Sequence, residues 1–166
     1  MRVGTDIMGE DHGEKTSMEH SKYGDDFKIG DVYTTSAITV TETHVVNWAG
    51  LTMDFYALHM DKEYAAKTSF GERVVHGPLV FALAVGLVSL AGFGGDSVLA
   101  WLGAENIKML APVKIGDTIT VIVEVIDKKQ TNKPEKGIQV WRYKVKNQKD
   151  EMVMVFDYKL MFHMRV

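Results

Sequence analysis

One segment constrains the fold of this chain more than any other: "GPLVFALAVGLVSLAGFGG", residues 77–95. Its side chains are apolar on nearly every face a helix could present. Proline suits a first helical turn, because its missing N–H would have no partner there, so a helix is expected from about Pro78 to about Gly92. The run opens on Gly-Pro, carries a serine and internal glycines, and is at or below the ~20 residues that a membrane span needs. A buried helix at the centre of a domain is therefore expected, with no membrane association. Such a helix has to be wrapped. A single curved sheet covers one side of it, and a second subunit is the economical cover for the rest.

The flanking sequence supplies the sheet. "DTITVIVEVIDKK" (117–129) alternates, with Ile119, Val121, Val123 and Val125 on one side. "GIQVWRYKVKNQ" (137–148) and "EMVMVFDYKLMFHMRV" (151–166) predict two more strands, and "SVLAWLGAENIKML" (97–110) is extended or mixed. Upstream, "DVYTTSAITV" (31–40) predicts a strand. Thr41 offers an N-cap and Glu42 suits a first turn, opening a short helix over 42–52 with Val45, Trp48 and Ala49 on one face. A second short helical piece is expected over 61–67. At 166 residues the chain is long enough for one domain with a proper core. The order of elements gives an α+β class: an antiparallel sheet over one dominant helix.

Composition removes several function classes. A formal net charge of -3 argues against nucleic-acid binding, which needs a basic face. There are no cysteines, so disulfides, thiolate catalysis and cysteine-based zinc sites are excluded. No metal spacing such as His-x-x-x-His and no glycine-rich phosphate loop is found. The stretch 1–24 lacks an apolar signal-peptide region and is expected to be an extension to a domain over 25–166, and the expected location is cytoplasmic.

Two features carry chemistry. Asp54 and His59 lie five residues apart, a spacing that does not pair side chains on a regular helix but allows them to converge in a loop. An Asp–His pair facing a small cavity can hold and activate a water, because imidazole titrates near neutrality. The alternative is a helix cap and a half-buried hydrogen-bonding histidine. Then His76-Gly77-Pro78 leads into the apolar helix. The free N–H groups of a first turn and the helix dipole suit a developing negative oxygen. Here the alternative is a turn glycine beside a packed histidine. Taken together, the features describe water addition across the double bond of an enoyl thioester, with no metal or organic cofactor.

The residues "DFYALHMDKEYAAKTSFGERVVHG" resemble the hydratase motif of the MaoC-like family, the (R)-specific enoyl-CoA hydratases of hotdog fold. In that motif Gly-Asp-x-Asn-Pro-x-His is followed by Arg-x-x-His-Gly. Asp54 and His59 fall on its catalytic pair, and Arg73, His76 and Gly77 on its second element. "NIKMLAPVKIGDTITV" is similar to a downstream strand of the family. The resemblance runs from about Phe27 to the C-terminus. It implies a hotdog fold, a homodimer or higher homo-oligomer, an acyl-CoA substrate and (R) stereochemistry. Asp54 and His59 would then be catalytic, and the Gly77 N–H would hold the thioester oxygen with His76 beside it. Which of the two catalytic side chains is the base stays open.

Three positions depart from the motif: Met53 for Gly, Tyr56 for Asn and Ala57 for Pro. Tyr56 could take over a hydrogen bond, narrow the acyl pocket as a substrate-binding residue, or mark a different substrate. Two rival functions are compatible with the fold. A hotdog thioesterase would use Asp54 at the carbonyl carbon but would leave His59 unexplained. A non-catalytic acyl-thioester binding module would bind without turnover.

Overall fold

The computed structural model describes residues 23–166. The expected extension over 1–24 therefore lies, apart from its last two residues, outside the described residues. The elements follow in the order β1 (Val32–Thr34), β2 (Ile38–Thr39), α1 (Glu42–Thr52), α2 (Ala57–Met60), α3 (Lys62–Ala65), α4 (Gly77–Ala91), β3 (Val98–Met109), β4 (Thr118–Gln130), β5 (Lys136–Lys146) and β6 (Met152–His163). All strand pairs are antiparallel, in the order β1-β4-β5-β6-β3, with β2 on the far end of β4. The sheet wraps α4, as the hotdog fold requires.

The central helix has physical ends. Pro78 stands in its first turn, and Gly92 closes it in the left-handed region at φ 68°, where glycine meets no Cβ penalty. Leu79, Val80, Ala84, Leu87 and Val88 are buried, whereas Leu90 is 83% exposed. The inward positions of β4, from Ile119 to Val125 by twos, are all fully buried, as the alternation predicts. Trp141 on β5 and Phe162 on β6 close a cluster with Phe27, at centroid separations of 5.0 and 5.5 Å from its ring.

The predicted single strand over 31–40 is two. At the break, the Thr35 hydroxyl donates to the Ser36 carbonyl at 2.8 Å and accepts from the Val121 N–H at 3.1 Å. A side chain takes the place of a backbone partner, so the ladder is interrupted. The mixed segment at 97–110 is the full edge strand β3, shifted in register at three places against β6. Trp101, Leu102, Ile107, Met109 and Leu110 along and beyond it are 42–57% exposed on the isolated chain.

Candidate active site

The first helix delivers the acid. Thr41 caps α1, its hydroxyl and N–H both 2.9 Å from the Nδ1 of His44. At the other end Met53 occupies the left-handed region at φ 65°, ψ 15°. The chain reverses there, and Asp54 follows directly in the loop to α2. The glycine that the resemblance places at position 53 has a conformational reason: an L side chain in this region costs roughly 1–2 kcal/mol.

The short helix α2, not foreseen from the sequence, carries His59. Its Nδ1 lies 2.7 Å from the carbonyl oxygen of Val74. A carbonyl only accepts, so Nδ1 bears a proton, and Nε2 is the ring nitrogen that can offer a lone pair. Val74 is itself fixed. It bridges to Lys114, and the Val75 N–H donates to the Val113 carbonyl at 2.8 Å. Arg73 pairs with Glu42 at 2.8 Å through a guanidinium–carboxylate fork, tying this segment to the start of α1 and holding the Glu42 carboxyl below its usual range. Arg73 thus has a supporting position away from the Asp–His cluster.

His76 is fully buried. Its Nε2–H donates to the backbone carbonyl of Asp54 at 3.0 Å, and its ring stacks on that of His59 with centroids 3.9 Å apart. Its Nδ1 is buried with no hydrogen-bond partner among the described residues. Burial pushes the imidazole below the ordinary histidine range, and the neighbouring His59 adds to this against the opposing Asp54 contacts. His76 is therefore a neutral ring behind His59, clamping the backbone of the acid. Because it immediately precedes Gly77, one residue connects the Asp54 loop to the first turn of α4.

One donor atom from each of Asp54, His59 and His76 lies within 4.8 Å of the others. Such a set can grip a water, and by distance alone a divalent cation. Two histidines on one ion at about 2.0–2.1 Å aim their lone pairs at a common point; here the rings lie against each other, 32° from parallel. This arrangement suits a water shared by Asp54 and His59 better than an ion. Beside the cluster opens a cleft of about 330 Å³ lined by His59, Phe70, Gly77, Met109 and Pro112 among others. Gly77 has no positive φ; its missing side chain leaves room facing Met109. Tyr56 precedes α2, with its ring edge-on to His59 at 5.9 Å and its hydroxyl 3.3 Å from that of Tyr64. It is 55% exposed on the isolated chain and does not line the cleft.

Sequence reasoning did not find the Val74 carbonyl, which orients His59, because a backbone acceptor has no residue signature. Nor did it find the His59–His76 stack, which exists only once a 17-residue separation is closed by the fold.

A family model described as a MaoC like domain matches residues 26–147. The chain is 45% identical over 100 residues to Protein MaoC of Klebsiella aerogenes, covering 60% of this chain and 29% of that protein. It thus spans under a third of that longer relative. It is 37% identical over 105 residues to an (R)-specific enoyl-CoA hydratase of Rhodospirillum rubrum, covering 62% of this chain and 69% of the hydratase. Among solved structures, one described as a monoamine oxidase regulatory protein from Archaeoglobus superposes with TM-score 0.82 at 35% identity, covering 87% of this chain and 95% of that one. With the motif, the wrapped helix and the family match in agreement, this chain belongs to the MaoC-like domain family.

Proposed function

We propose that the chain catalyses reversible hydration of a 2-enoyl thioester, carried on CoA, to the (R)-3-hydroxyacyl thioester. The observation that carries this reading is the convergence of Asp54 on His59, whose side chain lines a cleft that also contains Gly77 at the start of α4. Water held between the carboxylate and the Nε2 of His59 adds its oxygen to C3 of the enoyl group. The second proton goes to C2, and the same pair manages both transfers. The enolate oxygen formed in between is held by the Gly77 N–H at the positive end of a 15-residue helix. His76 acts by position: it is enclosed, and it fixes the Asp54 backbone relative to Gly77. Tyr56 lies exposed beside His59 and outside the lining of the cleft, so the reaction is assigned no step through it.

The edge strand β3 and the exposed apolar side chains along it support a homodimer or higher homo-oligomer. The mechanism needs no metal and no organic cofactor beyond the CoA of the substrate. Loss of enoyl-thioester absorbance on adding enzyme, unchanged by a chelator, tests the reaction. Release of free thiol would instead make the protein a thioesterase. Tight binding without either signal would make it a binding module.

A further inference from the structure

A second cavity, of about 280 Å³, lies at the far end of α4. Its walls include Val85, Val88, Trp101, Trp141, Tyr143 and Tyr158. The two cavities lie toward opposite ends of α4, the first beside Gly77 and the second beside Gly92. Gly77, Phe81, Val85 and Ser89 are spaced by four and so follow one slanting ridge of α4, which turns about 40° per step. Gly77 opens on the catalytic cleft, and Val85 and Ser89 on the aromatic cavity. The edge strand β3 runs the opposite way along the helix. Met109 sits 3.5 Å from where a Gly77 Cβ would be, and Val98 lies against Gly94 beyond the other end of the helix.

Phe81 stands between the two cavities along α4. The Phe81 ring packs on Phe156 at 4.6 Å and on Tyr158 at 6.3 Å between centroids. Tyr158 in turn stacks on Trp101 at 5.6 Å, 9° from parallel. Resting on the hydratase reading above, we propose that Phe81 is the chain-length stop of the acyl site, which confines the enzyme to short, apolar 2-enoyl groups and closes the aromatic cavity to them. Four residues of helix separate Gly77 from Phe81, a rise of about 6 Å. Carbon–carbon bonds of about 1.5 Å advance an extended chain by about 1.3 Å per carbon, so about four or five carbons fit past the thioester carbonyl. Val85, another turn along, is about 12 Å from Gly77, a distance that only a longer chain would reach. Among the described residues, the lining of the catalytic cleft contains no Lys or Arg that would receive a second carboxylate on the acyl group.

The test uses full-length protein and enoyl-CoA esters of four, eight and twelve carbons. Wild type should lose at least about tenfold in kcat/KM from four to eight carbons. Phe81→Ala should raise the eight-carbon rate by at least about tenfold while the four-carbon rate stays within a few-fold. Phe81→Leu should give a smaller change in the same direction and covers the case in which the alanine variant does not fold. Adding Val85→Phe to Phe81→Ala refills the far cavity and should remove the gain. A wild type that turns over twelve carbons as well as four, or a folded Phe81 variant with an unchanged length profile, overturns the proposal. Wild type idle on the four-carbon ester would overturn the hydratase reading instead. Binding of saturated acyl-CoAs of the same lengths then reads the stop: equal affinity for short and long chains refutes it, and weaker binding of long chains relieved by Phe81→Ala supports it.

Discussion

Replacing Gly77 by Ala should separate activity from stability. The residue has no positive φ, so alanine adopts its backbone without strain. The added Cβ would meet Met109 Cγ at 3.5 Å and Sδ at 3.6 Å, ordinary van der Waals contact. Alanine in place of glycine within a helix is favourable by up to about 0.5–1 kcal/mol, and less in the first turn, so the melting temperature should hold or rise slightly. The same Cβ points into the cleft, where the thioester oxygen would sit about 2.7–3.1 Å from the N–H. Alanine keeps the N–H, but a Cβ that crowds the oxygen away from it forfeits that donor, a loss of up to about 10²–10³ in turnover, or about 2.7–4 kcal/mol of barrier. Hydration of a four-carbon enoyl-CoA, followed by absorbance beside a thermal melt, measures both. Wild-type turnover in a fully stable Gly77→Ala protein would refute the oxyanion role. A large fall in melting temperature would refute the geometry given for the site.

Met53→Gly should stabilise the fold by about 0.5–1 kcal/mol, the relief of a left-handed side chain less the added entropy of the unfolded glycine, and a denaturant midpoint at or below wild type would contradict this. His76 is held neutral in the fold while an unfolded histidine titrates near 6.5, so the unfolded state binds more protons below that pH. Stability should be lost as pH falls below about 6.5 toward the lowered folded value. His76→Gln, which keeps an N–H donor, should flatten that loss between pH 7 and 5; equal slopes would exclude His76 as its source. Sedimentation at micromolar concentration should show an assembly larger than the 18.6 kDa chain, because the exposed β3 side chains each forfeit about 25 cal/mol per Å² left in water. A folded, monodisperse monomer would contradict it.

The sequence was most legible where local chemistry decides the structure. Pro78 and Gly92 mark α4, Thr41 marks the start of α1, and the alternation from Ile119 to Val125 gives the inward face of β4. It was least legible where a distant partner decides. The Thr35 hydroxyl breaks a strand by reaching Val121, and apolar side chains stay exposed at both even and odd positions of β3, so no period marks it. The site divides in the same way. Asp54, His59 and Gly77 carry a motif at readable spacing. The Val74 carbonyl, the buried Nδ1 of His76 and the Phe81 ring against Phe156 depend on closing loops and packing layers, which spacing along the chain does not encode. Tyr56, singled out for its place in the motif, has its hydroxyl against that of Tyr64 and meets Asp54 through its backbone N–H.

The most direct measurement is the hydration rate of a four-carbon enoyl-CoA for wild type, Asp54→Asn, His59→Gln and the double variant, each checked for folding by circular dichroism. Both substitutions nearly preserve shape, so folding and binding of a saturated acyl-CoA should survive. Each single variant should lose about 10²–10⁴ in rate, the range for one positioned acid or base. The double variant should lose far less than the product of the two, because the pair acts on one water as a unit. Folded single variants that hydrate at rates near wild type would contradict the assignment of Asp54 and His59 as the catalytic pair.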